Sequence, residues 1–533
     1  MHQPQSMATQ RPQYYRNTLQ PIRIDRATLL KTLNELRHAV RYGGDLIQTG
    51  MPQPDDWDGS GIYNGSPELI DDLGIALAFL RLERQVPSLG ERDESSLDFR
   101  QLASQFILPN GPQFYPQPRQ LSPIGSSPLA ATVIRILAST SNGDVASGVS
   151  EDDIFNLQSA VALALELGPV MHHKSRDMGS DEVLYGRAGL LWALLNIRIH
   201  EFDAKTTESL LPVFEAVPRL VDVIIQAGRQ GSRDYAKRYG EQHAFPLMWV
   251  LHEGYYGLGA VHGITGILTV LVGCRLEELD DGASRIYLPL IASTITEICR
   301  ICIFNNGHLP TSIPSRPSSR PFPLVQICHG SPGILLLLAC ARTNAYLTSN
   351  FWQPEWDEAI RLASERIWEE GLLSKGGGLC HGMAGNAWPL LLLHDCFEYD
   401  VEQMEEAKRN FRERTNATTS TSNVRELSSD YFLSRALSFL LHALETPPYS
   451  RALSSHRYRM PDSPFSLFEG LAGTLCAWAE ACVVIQARLR KMELEEEHKV
   501  PSTPIRDDEV FKRLMLLQLG FPGLGGKGPR GLL

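Results

Sequence analysis

Gly330-Ser331-Pro332-Gly333 runs directly into Ile334-Leu335-Leu336-Leu337-Leu338-Ala339. The same pattern, G-x-x-G followed by an apolar run, recurs along the chain. Gly186-Arg187-Ala188-Gly189 precedes LLWALL, and Gly263-Ile264-Thr265-Gly266 precedes ILTVLV. Gly382-Met383-Ala384-Gly385 precedes NAWPLLLL, and Gly470-Leu471-Ala472-Gly473 precedes TLCAWAE. A degenerate first copy is read at Ser60-Gly61-Ile62-Tyr63-Asn64-Gly65, its apolar run delayed to Ile75–Leu80. Each interval between copies holds a pair of helices plus loops. Two glycines three apart share one face of a helical turn and permit close backbone approach. Repeated helix starts of this kind fit an inner ring of apolar helices sheathed by amphipathic ones. The expected fold is all-α: an α/α toroid of six or seven hairpin repeats, with the glycine-rich inner starts gathered at one end. That end carries partial positive charge and favours thiolates and anions.

The rest of the chain agrees with this reading. Trp356, Ile360, Ala363 and Ile367 recur at helical spacing, with Glu and Arg on the opposite face. Strand-like alternation is scarce. Residues 1–17 are expected to be a disordered N-terminal segment, 18–496 a single toroid domain, and 497–533 a flexible tail. Residues 83–128 and 401–427 read as surface insertions, as does the proline-rich 307–323.

Composition narrows the function classes. The 533 residues are 43% apolar and 21% charged, with a net charge of −11. This balance speaks against a nucleic-acid partner, which would call for a basic stripe. No apolar run approaches the ~18 residues of a transmembrane segment. The polar, Pro/Gln-rich start lacks the apolar core of a secretion signal. A cytoplasmic location is expected, and the nine cysteines are read as thiols or metal ligands. The sequon Asn416-Ala417-Thr418 carries little weight for the same reason. Oligomeric state leaves no signature.

Three copies of the repeat place polar ligands just before the glycines: Val261-His262-Gly263, Ile327-Cys328-His329-Gly330 and Leu379-Cys380-His381-Gly382. If the inner starts converge, so do these side chains, and a Cys/His set suits zinc. Three protein ligands with an open fourth position would mark a catalytic ion. Spacing alone does not choose among Cys328, His329, Cys380, His381 and His262. Cys299-Arg300-Ile301-Cys302 is a competing pair, read as two cysteines on a helix face.

Tyr185-Gly-Arg-Ala-Gly189, His262-Gly-Ile-Thr-Gly266, Cys328-His-Gly-Ser-Pro-Gly333 and Gly378-Leu-Cys-His-Gly-Met-Ala-Gly-Asn386 together resemble the LanC-like (lanthionine synthetase C-like) proteins, from about residue 58 to about 482. The wording around Asp181-Glu182-Val-Leu-Tyr-Gly-Arg is closer to the eukaryotic, glutathione-binding branch. The resemblance implies an α/α toroid and one zinc ion on Cys328, Cys380 and His381, leaving His329 off the metal. It implies His262 as the acid/base histidine and an acidic residue beside it. Asp181 and Glu182 both compete for that place, with Glu182 favoured by its distance to Gly186. It implies glutathione as a partner, with Lys375 contacting it.

The implied reaction is conjugate addition of a thiol, glutathione, to dehydroalanine or dehydrobutyrine residues in a peptide or protein. His262 would protonate the α-carbon, oriented by a carboxylate such as Glu182. The alternative is a non-catalytic glutathione- and zinc-binding signalling scaffold. A toroid glycosidase would need paired catalytic carboxylates, whereas the repeat starts offer thiols and imidazoles.

Overall fold

A computed structural model describes residues 12–50, 67–90, 97–107, 118–121, 123, 129–140, 148–173, 176–252, 254–315, 322–415, 427–450, 458–497 and 505–525. Helices dominate. The strands form three short antiparallel pairs, Tyr14–Tyr15 with Leu372–Leu373, Val170–His173 with Arg176–Gly179, and Tyr256–Gly257 with Ser312–Ile313.

The helices Arg187–Ile197 and Ile264–Val272 are buried at every residue. Ser331–Thr343 and Met383–Tyr399 are buried at nearly all of theirs. A helix apolar on all sides has no solvent face and belongs inside the protein. Among the described residues seven helices close an inner ring. In order these are Pro67–Gln85, Leu129–Ser139, Arg187–Ile197, Ile264–Val272, Ser331–Thr343, Met383–Tyr399 and Leu471–Glu497; each packs on the next, and the last packs on the first. Outer helices sheathe the ring. Arg26–Gly50 covers Leu471–Glu497, Val217–Tyr239 covers Arg187–Ile197, and Ser429–Ala443 covers Met383–Tyr399. Pro354–Glu370 covers Ser331–Thr343, presenting the fully buried Trp356, Ile360, Ala363 and Ile367. The toroid is therefore closed.

The glycine pattern has a direct cause. A Cβ at Gly385 would lie 1.7 Å from the carbonyl oxygen of Leu379, six residues earlier. Gly266 and Gly473 meet the carbonyls of Ala260 and Leu467 at the same six-residue step, 1.7 and 1.9 Å from an added Cβ. At these three starts the loop folds back onto the first turn of the inner helix, and only hydrogen fits between them. The second ring helix, Leu129–Ser139, lacks the signature: its approach reads Gly125-Ser126-Ser127-Pro128. The degenerate copy at residues 60–65 and the sequon at 416–418 lie outside the described residues.

Three boundary expectations need correction. Within 1–17, Tyr14 and Tyr15 pair with Leu373 and Leu372. Within 497–533, Glu509–Leu517 is a helix and the following residues enter the core. Phe521 stacks edge-on against Trp388 at 5.3 Å, and Leu519 N–H donates to Glu480 Oε2 at 3.0 Å. Buried Arg81 donates to the Gly520 carbonyl. This segment stays in place because it satisfies Arg81, Glu480 and Asp395, which the ring interior leaves buried. Within 83–128, Phe99–Gln105 is a helix on Pro67–Gln85, and Arg119 reaches the site described next. Within 401–427, Val401–Thr415 is a helix; residues 416–426 lie outside the described set. None of the described helices is long and apolar enough to cross a membrane.

Candidate metal centre and acid–base pair

The inner helices beginning after Gly186, Gly263, Gly330 and Gly382 have no side-chain cap on their first turn. Loop carbonyls take first-turn N–H groups instead: Met383, Ala384 and Gly385 donate to Gly376, Gly377 and Gly378, and Arg187 and Ala188 donate to Ser180 and Asp181. Cys328 sits two residues before Gly330, and Cys380 and His381 immediately precede Gly382. Cys380 N–H donates to the Phe468 carbonyl at 2.7 Å, which ties this loop to the next repeat. Buried Asn386 donates to the carbonyls of Val325 (3.1 Å) and Gly371 (3.2 Å), clamping the two cysteine loops together.

One ligand atom each from Cys328, Cys380 and His381 lies within 4.8 Å of the others. Cys380 Sγ and His381 Nε2 are 3.5 Å apart. A tetrahedral ion with sulfur at about 2.3 Å and imidazole nitrogen at about 2.0–2.1 Å would hold those atoms about 3.5 Å apart. The other ring nitrogen, His381 Nδ1, faces Glu469 Oε1 at 3.5 Å. A ligating histidine needs such an outer carboxylate to fix its tautomer. Gln326 Nε2 donates to Cys328 Sγ at 2.9 Å. The Cys328 thiol is held well below the ordinary thiol range. The main cause is its hydrogen bond with Cys380; His381 and His329 add to the effect, and burial opposes it. The same hydrogen bond, with burial and the Cys328 charge, pushes Cys380 well up. The two sulfurs are thus hydrogen-bonded to each other, with Cys328 the better acceptor.

His262 stands beside this cluster. Its ring stacks on His329 with centroids 5.4 Å apart. His262 Nδ1 meets Glu182 Oε2 at 2.9 Å, and the Glu182 side chain is only 4% exposed. Burial lowers the basicity of His262, but the hydrogen bond and charge of Glu182 outweigh it, helped by Cys328, so its pKa is raised. Arg119 Nη2 donates to the other carboxylate oxygen at 3.3 Å. Of the two competing acids, Glu182 faces the histidine. Both oxygens of Asp181 instead receive Arg187, at 2.6 and 3.0 Å, in a buried pair that braces the first turn of the ring helix. Assigning Asp181 to the catalytic set is therefore corrected: its carboxylate is spent on Arg187.

Lys375 lines a shallow cleft with His381, Arg459, Asp462 and Glu469. It also lowers the Cys380 pKa, so its charge reaches the cluster. His329 lies outside the three-donor group. Cys299 and Cys302 are fully buried in the helix Leu288–Phe304. Burial pushes Cys302 up to about 12, and the pair lies outside the three-donor cluster. Arg119, Gln326, Arg459 and Glu469 escaped the sequence reading. Glu469 alone had a signal, since it precedes Gly470 as His381 precedes Gly382.

The chain is 29% identical over 314 residues to a zebrafish (Danio rerio) protein named glutathione S-transferase LANCL1, covering 59% of this chain and 62% of that one. It is 29% identical over 317 residues to LanC-like protein GCL1 of Arabidopsis thaliana, covering 59% and 58%. The match thus spans about three-fifths of the length of these relatives. Among solved structures, nisin cyclase aligns at 13% identity with a TM-score of 0.38, covering 82% of this chain and 98% of that one. The family model for lanthionine synthetase C-like protein matches residues 150–493, the stretch that carries His262, Cys328, Cys380 and His381, and the chain belongs to that family.

Proposed function

We propose that this protein is a zinc-dependent enzyme that adds the thiol of glutathione to dehydroalanine or dehydrobutyrine residues in peptides or proteins. The observation that carries the reading is the juxtaposition of a Cys-Cys-His donor cluster, its cysteines buried, with a Glu182–His262 pair whose carboxylate is buried and whose imidazole is partly exposed. The cluster suits thiol activation, and the pair suits proton delivery. The name of the zebrafish relative supports glutathione as the thiol. The lack of a membrane-crossing helix among the described residues is compatible with a cytoplasmic location.

Cys328, Cys380 and His381 would hold the ion. A zinc ion in that position supplies a fourth coordination place where a thiol ionises near neutral pH. The donor set carries two negative charges when both cysteines are ionised, so sulfur there stays electron-rich and nucleophilic. Lys375 and Arg459 offer cations beside His381 for the carboxylates of glutathione. Glutathione sulfur bonds the β-carbon of the acceptor as the alkene electron pair shifts toward the α-carbon and its carbonyl oxygen. His262, charged through Glu182, then gives its proton to the α-carbon. The proton released when the thiol ionises restores His262, so the reaction consumes no net acid.

The test is direct. The purified chain is incubated with glutathione and a dehydroalanine peptide, with adduct mass and zinc content measured. Adduct formation that requires the metal supports the reading. A protein that binds zinc and glutathione but never yields adduct is the scaffold instead.

A further inference from the structure

Arg119 belongs to no repeat. It lies in the 83–128 segment, yet its side chain is only 10% exposed. Leu121, fully buried two residues on, donates its N–H to the Tyr185 carbonyl at 3.5 Å. The segment is thereby fixed over the loop that carries Glu182. Arg119 takes φ +63, a left-handed conformation uncommon outside glycine. Such backbone strain persists where surrounding contacts enforce it. The guanidinium lies 4.7 Å from the centre of the Tyr185 ring and gives Nη2 to Glu182. Its Nη1 is buried and has no acceptor among the described residues. A buried guanidinium N–H without an acceptor is costly, and an acceptor brought by a ligand removes that cost.

We propose that the free Nη1 edge of Arg119 binds the carbonyl oxygen of the dehydroamino-acid residue, making Arg119 a catalytic residue for the acceptor peptide. This rests on the reaction proposed above and names the group that receives its developing charge. As sulfur bonds the β-carbon, the alkene pair moves onto the α-carbon and the carbonyl oxygen. Arg119 donates to that oxygen while the α-carbon takes its proton from His262. Glu182 bridges the two, with one oxygen on each, so donor and acid are held at a fixed spacing. A neutral amide in the ground state satisfies the buried N–H and adds modestly to peptide affinity. The oxyanion gains more, so the larger effect falls on turnover.

The experiment uses the full chain loaded with zinc and compares wild type with Arg119→Gln, Arg119→Lys, Glu182→Gln and the Arg119→Gln/Glu182→Gln double variant. Zinc content and glutathione affinity should be unchanged in Arg119→Gln, while kcat toward a dehydroalanine peptide falls roughly 10²–10³-fold, the usual cost of one oxyanion donor. Arg119→Lys keeps the charge but not the fork, and should fall between. It also serves if the glutamine variant does not fold. In the double variant, Arg119→Gln should still cost most of its factor. If it costs nothing further there, Arg119 acts only by steering Glu182, and the proposal is overturned. Unchanged kcat in Arg119→Gln, or lost glutathione binding with peptide binding intact, also overturns it. If the wild type forms no adduct, the proposed function fails separately. Equilibrium binding of the dehydroalanine peptide without thiol then decides on Arg119: weaker binding in Arg119→Gln supports the subsite, and equal or absent binding rejects it.

Discussion

Glu182→Gln isolates one negative charge. The variant keeps the shape of the side chain and an oxygen for His262 Nδ1, but not the carboxylate charge now 2.9 Å away and nearly sealed from water. A charge-assisted hydrogen bond contributes about 1.5–3 kcal/mol. If that energy is realised when His262 is the proton donor, kcat should fall roughly 10- to 150-fold. The pH dependence gives a second reading. A general acid works while protonated, so activity falls as pH rises through its pKa. Glu182 holds the His262 pKa up, against burial and against the positive Arg119. Removing the charge lowers that pKa, so the alkaline limb should move to lower pH. Zinc content should not change, because Glu182 is outside the three-donor cluster. Initial rates of adduct formation from pH 5 to 9, followed by mass spectrometry, provide the assay. An unchanged kcat with an unmoved alkaline limb would refute the assignment of His262 and Glu182 as the proton-delivering pair.

Four further outcomes are expected. Cys380→Ala and His381→Ala should lose zinc in metal analysis, whereas Cys299→Ala and His329→Ala should retain about one ion per chain; equal loss in both histidine variants would reject the ligand set. Asp181→Asn strands buried Arg187, so thermal unfolding should show about 3–5 kcal/mol of lost stability, with His262 chemistry unaltered in the protein that still folds. Gly385→Ala forces a Cβ against the Leu379 carbonyl and should lower both Tm and zinc affinity, whereas Gly282→Ala, at φ +71 in open space, should cost only about 1–2 kcal/mol. Lys375→Ala should raise the KM for glutathione about tenfold with zinc retained, and an unchanged KM would return Lys375 to an ordinary surface role.

The toroid was readable because its inner helices repeat a backbone constraint. Where a loop carbonyl presses on the helix start, as at Gly385, the chain has no substitute for glycine, and the constraint is visible as a letter. Leu129–Ser139 joins the same ring without that letter, so the second repeat, which follows directly on the apparent insertion at 83–128, carried no mark of its start. The Cys-His-Gly copies were legible for the same reason, since they share a register with the glycines, but the choice of Cys328, Cys380 and His381 among five candidates came from the family resemblance and not from spacing. The residues that orient them were not. Glu469 reaches His381 from the neighbouring repeat, 88 positions along the chain, and Arg119 reaches Glu182 from a segment with no periodicity. The tail was misread because Gly-rich sequence resembles solvent-exposed chain, and its partners Arg81, Glu480 and Asp395 are buried charges scattered over three ring helices.

The order of the site follows the order of the ring. Glu182 precedes the helix Arg187–Ile197, His262 precedes Ile264–Val272, and Cys328 precedes Ser331–Thr343. Cys380 and His381 precede Met383–Tyr399, and Glu469 precedes Leu471–Glu497. Five consecutive inner helices therefore present carboxylate, imidazole, thiol, thiol with imidazole, and carboxylate. The Glu182–His262 half spans one seam of the ring, between Arg187–Ile197 and Ile264–Val272. The Cys328, Cys380 and His381 half spans another, between Ser331–Thr343 and Met383–Tyr399. The seam joining the two halves is the contact of Ile264–Val272 with Ser331–Thr343, where an added Cβ at Gly333 would come within 3.0 Å of the Ala260 backbone. Close-packed interiors resist continuous deformation, so this seam sets the distance from the acid to the reacting sulfur. A small-to-large change at the middle seam should separate acid from nucleophile while leaving both the Glu182–His262 pair and the three-donor cluster intact. The proposed reaction would then depend on apolar packing between inner helices as directly as on the polar residues at their ends.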